Sequence, residues 1–144
     1  WSYTPKKFEE TDVDVKISCT SICGSCIHTI RGTWPGGTRY PCIAGHEIVG
    51  TVVKAGAKSG HQVGQRVGIG AQSGSCLENC DNCQHERENW CTGGGMIGTY
   101  NGKWSVDDSA SQGGYADYIR VQGRFAVNVP EKLSDEEAAP LMCA

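Results

Sequence analysis

No apolar run in the 144 residues approaches the ~18 needed to cross a bilayer as a helix, so a membrane-spanning segment is not expected. There is no basic excess either. Lys+Arg number 13 against 16 Asp+Glu, for a net charge of -3 and a pI near 5.8. With no surplus of cations to neutralise phosphates, a dedicated nucleic-acid binder is excluded. The charged n-region, apolar h-region and small-residue cleavage site of a secretory signal are missing. Hydrophobic residues at 38% and charged residues at 20% are not the balance of a disordered chain. The length suits one domain with a core of modest size.

Cysteine and glycine are abundant, at nine and twenty residues. Nine is odd, so complete internal disulfide pairing is impossible. Without a secretory signal the expected compartment is the reducing cytoplasm, where clustered cysteines bind metal or do chemistry. Four cluster, at Cys76, Cys80, Cys83 and Cys91. Five are dispersed, at Cys19, Cys23, Cys26, Cys42 and Cys143. The competing reading, a secreted disulfide domain, leaves at most one free thiol, and thiol counting under denaturation separates the two.

The pattern along the chain is mainly β. Val13, Val15 and Ile17 alternate with polar residues over 12–18, which reads as a half-buried strand. Residues 1–11 read as an entry loop or strand remnant, and 19–46 as a long irregular connection. Residues 47–53 read as a strand whose Gly50 marks a bulge or close backbone approach. Further strands are expected over 65–69, 114–121 and 125–129. The stretch 70–113 has almost no apolar periodicity, and a structureless loop of that length calls for a metal to replace the missing core. Ser134-Asp135-Glu136-Glu137 is a capping box that starts a helix. The chain begins at Trp1 and stops inside the apolar run 138–144, so it reads as a piece of a longer protein, cut at both ends.

The lobe spacing is Cys76-x3-Cys80-x2-Cys83-x7-Cys91. Four thiolates so placed can meet at one tetrahedral Zn2+ at about 2.3 Å each, and a site closed by four sulfurs is structural. Asn79, Asp81, Asn82, Gly93 and Gly94 supply turns around it. The stretches Cys23-Gly24-Ser25-Cys26-Ile27-His28 and Gly45-His46-Glu47 also carry metal-ligand types, each weak by itself.

Taken in order, these stretches form a larger pattern. I-C-G-S-x-I-H is followed by G-H-E-I-V-G-x-V-V, V-G-x-R-V-G-I-G, the four-cysteine lobe, S-Q-G-G-Y-A-D-Y and A-A-P-L-M-C-A. This resembles the zinc-dependent medium-chain alcohol dehydrogenases, most closely their cinnamyl-alcohol-dehydrogenase-like, NADP-dependent branch. The resemblance implies a GroES-like catalytic domain over residues 1–144, with the structural zinc lobe within 70–113. Residues 134–144 would start the helix toward a nucleotide-binding Rossmann domain that this chain lacks.

It also implies site residues. Cys23, His46 and Cys143 match the catalytic zinc ligands, and Glu47 the exchangeable fourth. Ser25 matches the hydroxyl that hydrogen-bonds the alcohol, and His28 the relay toward solvent. Cys76, Cys80, Cys83 and Cys91 match the structural ligands. The implied cofactors are two zinc ions per chain, one a Lewis acid, and NADP(H) held by the absent domain. The implied partners are a small-molecule alcohol or aldehyde and, at full length, a second copy in a homodimer.

Three departures stand out. Three residues, not two, separate Cys76 from Cys80, so either Asn79 bulges out or one ligand is displaced. Cys26 stands where the family has Asp, removing a charge near the zinc and adding a competing thiolate. Cys42 precedes the histidine unexpectedly, and it and Cys19 are read as structural or incidental. Gly93-Gly94-Gly95-Met96-Ile97-Gly98 satisfies G-x-G-x-x-G, yet it follows the lobe rather than a strand, so no dinucleotide is expected there. Trp34, Trp90, Tyr100 and Trp104 are candidate pocket or core aromatics, core being the preferred reading for each. The alternative function is a non-enzymatic zinc-stapled β module with a scaffolding or interaction role, indifferent to loss of His46.

Overall fold

The computed structural model describes residues 1–143. In chain order its elements are β1 (Asp12–Thr20), α1 (Gly24–Arg31), β2 (Ile48–Ala55), β3 (Arg66–Ile69), β4 (Gln72–Gly74), α2 (Asp81–Gln84), β5 (Ile97–Gly98), β6 (Tyr118–Gln122), β7 (Ala126–Asn128) and α3 (Asp135–Ala138). Five strands form one sheet in the order β6-β1-β2-β3-β7, and β4 and β5 form a two-stranded ribbon. Every pairing between these strands is antiparallel, unlike the parallel sheet of a dinucleotide-binding fold. No helix among the described residues is long and apolar enough to cross a membrane.

The alternation read in β1 is realised. Val13 and Val15 are fully buried, and Ile17 packs beside them against Ile48, Val52, Val67, Ile69, Ile119 and Val121. On the opposite face Val49 meets Val129, Ala138 and Ala139, with Cys19 and Leu133 at the margin. Each buried Val or Ile contributes about 1.5–3 kcal/mol from area removed from water. Gly50 does what the sequence suggested: the register skips Ser18 opposite it, and a Cβ there would run into the Lys16 carbonyl.

Two stretches differ from expectation, and the entry loop carries a contact that the pattern does not announce. Residues 24–31, read as part of an irregular connection, form α1. Its apolar Ile27 and Ile30 face out while Cys26 and Thr29 are buried, so the usual amphipathic signal is inverted. The usable clue was its end: Gly32 adopts φ 64° and donates to the His28 and Thr29 carbonyls after a basic last turn. The strand expected from 114 starts only at Tyr118, because Gly113, Gly114 and Tyr115 bond instead to the carbonyls of Ile43, Gly45 and Ala44. The polar entry segment 1–11 hides a buried ion pair, Lys6 to Asp12 at 2.5 Å, with Lys6 lying over the Trp104 ring.

The expected capping box is present. Ser134 Oγ accepts from the Glu137 N–H at 3.2 Å and Glu137 Oε2 accepts from the Ser134 N–H at 2.9 Å. The helix lasts one turn, and Pro140 converts the chain to a 3-10 turn over Pro140–Met142. Ala144, the last residue of the expected passage to another domain, lies outside the described residues.

Asp135 fastens this helix to the sheet. Arg66 Nε donates to its Oδ1 at 2.6 Å, Ser18 Oγ donates to its Oδ2, and Arg66 also reaches the Leu133 carbonyl. The Ser18 hydroxyl first, then Arg66, hold the Asp135 carboxyl below the ordinary range against the opposing effect of burial. A depressed carboxylate pKa stabilises the fold above the unfolded value of about 3.9, and this is lost as pH falls through the lower folded value. Asp135→Asn is therefore expected to cost about 1 kcal/mol in urea unfolding at pH 7, a deficit that shrinks below about pH 4. A deficit that stays constant from pH 7 to pH 3 would contradict the assignment.

Candidate metal centres

Three separate segments deliver one cluster. Cys23 occupies the N-cap of α1 in an extended conformation and makes no side-chain capping bond, so its sulfur turns to the Ser25 hydroxyl at 3.6 Å. His46 and Glu47 sit at the entry to β2, where the 43–45 backbone is pinned by Gly113, Gly114 and Tyr115 at 2.7–3.0 Å. Cys143 follows the Pro140–Met142 turn, which lies against the end of β3. A Cβ on Gly70 would stand 2.7 Å from the Met142 carbonyl oxygen, so only glycine lets that turn approach.

The result is convergence: one ligand atom from each of Cys23, His46, Glu47 and Cys143 lies within 4.8 Å of the others. The two sulfurs are 3.9 Å apart. Two sulfurs bound at about 2.3 Å to one tetrahedral ion are about 3.8 Å apart, so the spacing fits. His46 and Glu47 are 4% and 5% exposed, and His46 Nε2 is a buried nitrogen with no hydrogen-bond partner among the described residues. A native protein does not leave such an atom unsatisfied without a reason. Burial, opposed by Glu47, lowers the His46 pKa and favours the neutral ring that coordinates a cation. Burial and then the Cys23 sulfur raise the Cys143 pKa. The Glu47 carboxylate is held by the Ser21 hydroxyl.

Ser25 stands at the rim of this cluster. His28 is exposed on the same helix, with Nδ1 2.8 Å from Thr33 Oγ1 and its ring beside Trp34. No hydrogen bond joins Ser25 to His28 among the described residues.

The four lobe sulfurs converge likewise within 4.8 Å. Cys80 caps α2, which places Cys83 on its first turn. The extra residue displaces no sulfur. Within the three-residue spacer Leu77 adopts φ 59° and turns the chain. Backbone N–H groups of Cys83 and then Thr92 pull Cys80 down to about 5. Burial pushes Cys83 up to about 12 and also raises Cys76. Cys91 lies below the ordinary thiol value: burial opposes this, but the Cys76 N–H donates to its sulfur at 3.4 Å. Four crowded thiols cannot all ionise alone, and a divalent cation offsets that repulsion. The glycine-rich stretch 93–98 is the rim of this lobe, with turns at Gly94 and Gly95 followed by β5, so it opens no helix for a dinucleotide.

All nine cysteines are free thiols. Cys26 is buried at 1% but falls outside both clusters, receiving the Tyr100 hydroxyl instead of competing for the metal position. Cys19 and Cys42 are half-buried and also outside both. Of the four aromatics, Trp104 is core at 4% exposure, whereas Trp90 is exposed at 70% and Trp34 at 39%. Tyr100 lies on His46, a contact no local pattern announces across 54 positions.

Residues 9–131 match the profile of the alcohol dehydrogenase GroES-like domain. The chain belongs to this family. Among curated GroES-like-domain proteins, it is 49% identical over 143 residues to "NADP-dependent alcohol dehydrogenase 6" of Saccharomyces cerevisiae, covering 98% of this chain and 38% of that protein. It is 43% identical over 136 residues to "Cinnamyl alcohol dehydrogenase 2" of Arabidopsis thaliana, covering 94% of this chain and 35% of that protein. A cinnamyl alcohol dehydrogenase structure from Sorghum bicolor superposes with a TM-score of 0.90 at 33% identity, over 99% of this chain and 40% of that one. One from Helicobacter pylori, complexed with NADP(H), gives 0.84 at 32%, over 93% and 38%. The chain thus spans about two fifths of the length of such relatives.

A Cβ on Gly93 would lie 2.7 Å from Cys76 Sγ. Gly93→Val is expected to lower the chelator-resistant zinc of the lobe by about one ion per chain at unchanged His46-dependent binding, read by metal analysis after dialysis. Full retention of that zinc would refute the close-packed lobe.

Proposed function

We propose that this chain is the catalytic GroES-like domain of an NADP(H)-dependent zinc alcohol dehydrogenase that interconverts primary alcohols and aldehydes, cinnamyl-type among them. The observation that carries this reading is the convergence of Cys23, His46, Glu47 and Cys143, in which the Nε2 of His46 is buried and without a partner among the described residues. A zinc ion held there supplies Lewis acidity toward an alcohol or carbonyl oxygen, while a second ion in the lobe holds 70–113 together. The two thiolates and the neutral imidazole form the fixed part of the set, and Glu47, tethered to Ser21, is the carboxylate free to exchange.

The chain's own residues then handle the proton. Ser25 Oγ, 3.6 Å from Cys23 Sγ, can accept a proton from an alcohol and donate one to a product oxygen. His28 lies on the exposed face of α1, where its imidazole can pass a proton to solvent. The two are not bonded to each other among the described residues, so a proton passing from one to the other needs a further carrier. The hydride acceptor, NADP(H), belongs to the part of the protein beyond this domain. The relatives' printed names support NADP over NAD and an alcohol substrate. A homodimer and a cytoplasmic location are further parts of the reading.

The test uses the full-length protein. It should hold two zinc ions per chain and reduce an aromatic aldehyde with NADPH, and His46→Ala should lose at least about 100-fold in kcat/KM while keeping the lobe zinc. Fewer than one tightly held ion per chain, or full activity in His46→Ala, would overturn the assignment in favour of a stapled β module.

A further inference from the structure

We propose that Tyr100 is the positioning residue of the His46 centre, fixing the imidazole through a chain that runs from His46 to Tyr100 to Cys26. This rests on the metal reading above and deepens it. Tyr100 Oη lies 2.9 Å from His46 Nδ1, and the two rings stack with centroids 5.3 Å apart and planes at 19°. In the proposed arrangement Nδ1 carries the ring proton and donates it to Tyr100 Oη, while the phenol's own proton is directed toward Cys26 Sγ, 3.9 Å away. That places the lone pair of the ring on Nε2, the atom without a partner, which belongs to the residue that converges with Cys23, Glu47 and Cys143. One hydrogen bond therefore selects both the tautomer and the plane of the ring.

The platform is held on both sides. Thr99 N–H donates to the Ala71 carbonyl at 3.0 Å and its hydroxyl to the Gly70 carbonyl. Asn101 accepts from the Arg39 N–H at 2.9 Å and donates to the Gly37 carbonyl at 3.2 Å. Cys26, at the far end, is 1% exposed on the first turn of α1, the helix that Cys23 caps. The chain thus ties β2, the segment after β5 and α1 together behind the ligands. A neutral phenol suits this place electrostatically. Cys23, Cys143 and Glu47 can already bring three negative charges to one cation, and an orienting carboxylate would add a fourth.

Cobalt(II) loaded into the full-length protein gives the readout, because its visible bands report thiolate and imidazole ligation directly. Tyr100→Phe keeps the stacked ring and removes only the hydroxyl. It is expected to weaken metal binding at the His46 centre by about 10- to 100-fold and to shift the cobalt bands, with the lobe ion retained. Cys26→Ala should move both readouts in the same direction by less. Unchanged affinity and bands in Tyr100→Phe would overturn the proposal and leave Tyr100 a packing residue. If His46→Ala binds cobalt like the unmodified protein, the metal reading itself falls and the proposal with it.

Discussion

Four potential ligand atoms from residues 23, 46, 47 and 143 lie within 4.8 Å of one another, and the elements that carry them are held in place by the rest of the fold. Three of the four are anions when ionised, so a cation or a set of protons is needed for them to crowd. The scaffold therefore has to hold them against mutual repulsion. It does so with rigid parts: a helix start for Cys23, a strand entry for His46 and Glu47, and a turn pressed against β3 for Cys143.

The sheet supplies this rigidity through its buried Val and Ile residues, and the polar fasteners set its reach. Asp135, bonded to Arg66 and Ser18, ties the last helix to β1 and β3, and so fixes where the following turn carries Cys143. Gly113, Gly114 and Tyr115 give up strand pairing to bond the loop before His46. The same residues that shorten β6 thus steady the site. A second cysteine cluster does for 70–113 what apolar burial does elsewhere, since that stretch has only Ile97 and Trp104 well buried among its large apolar side chains.

Local pattern made much of this legible. The alternation of Val13, Val15 and Ile17, the Ser134–Glu137 box, the x3-x2-x7 cysteine spacing and the Gly-His-Glu entry are all short-range signals, and short-range geometry enforces them. Helix α1 escaped because its apolar side chains face outward, against the rule that periodicity reading depends on. The left-handed turn between Cys76 and Cys80 escaped too, because it falls at Leu77, a residue type that does not announce one.

The sequence by itself carried the resemblance to the family, the mainly β pattern and the candidate metal-ligand side chains, because ordered motifs, alternation and cysteine spacing are all local. The resemblance matches Cys23 and Cys143 to one centre, and the tertiary structure shows how their sulfurs come to lie 3.9 Å apart. Cys143 joins Cys23 across 120 positions, while Cys26, three residues from Cys23, turns away to Tyr100. It also decided that Tyr100 lies on His46 rather than in a core. Such contacts depend on the relative placement of strand, helix and turn, which is set by packing and close backbone approach and leaves no trace in local periodicity.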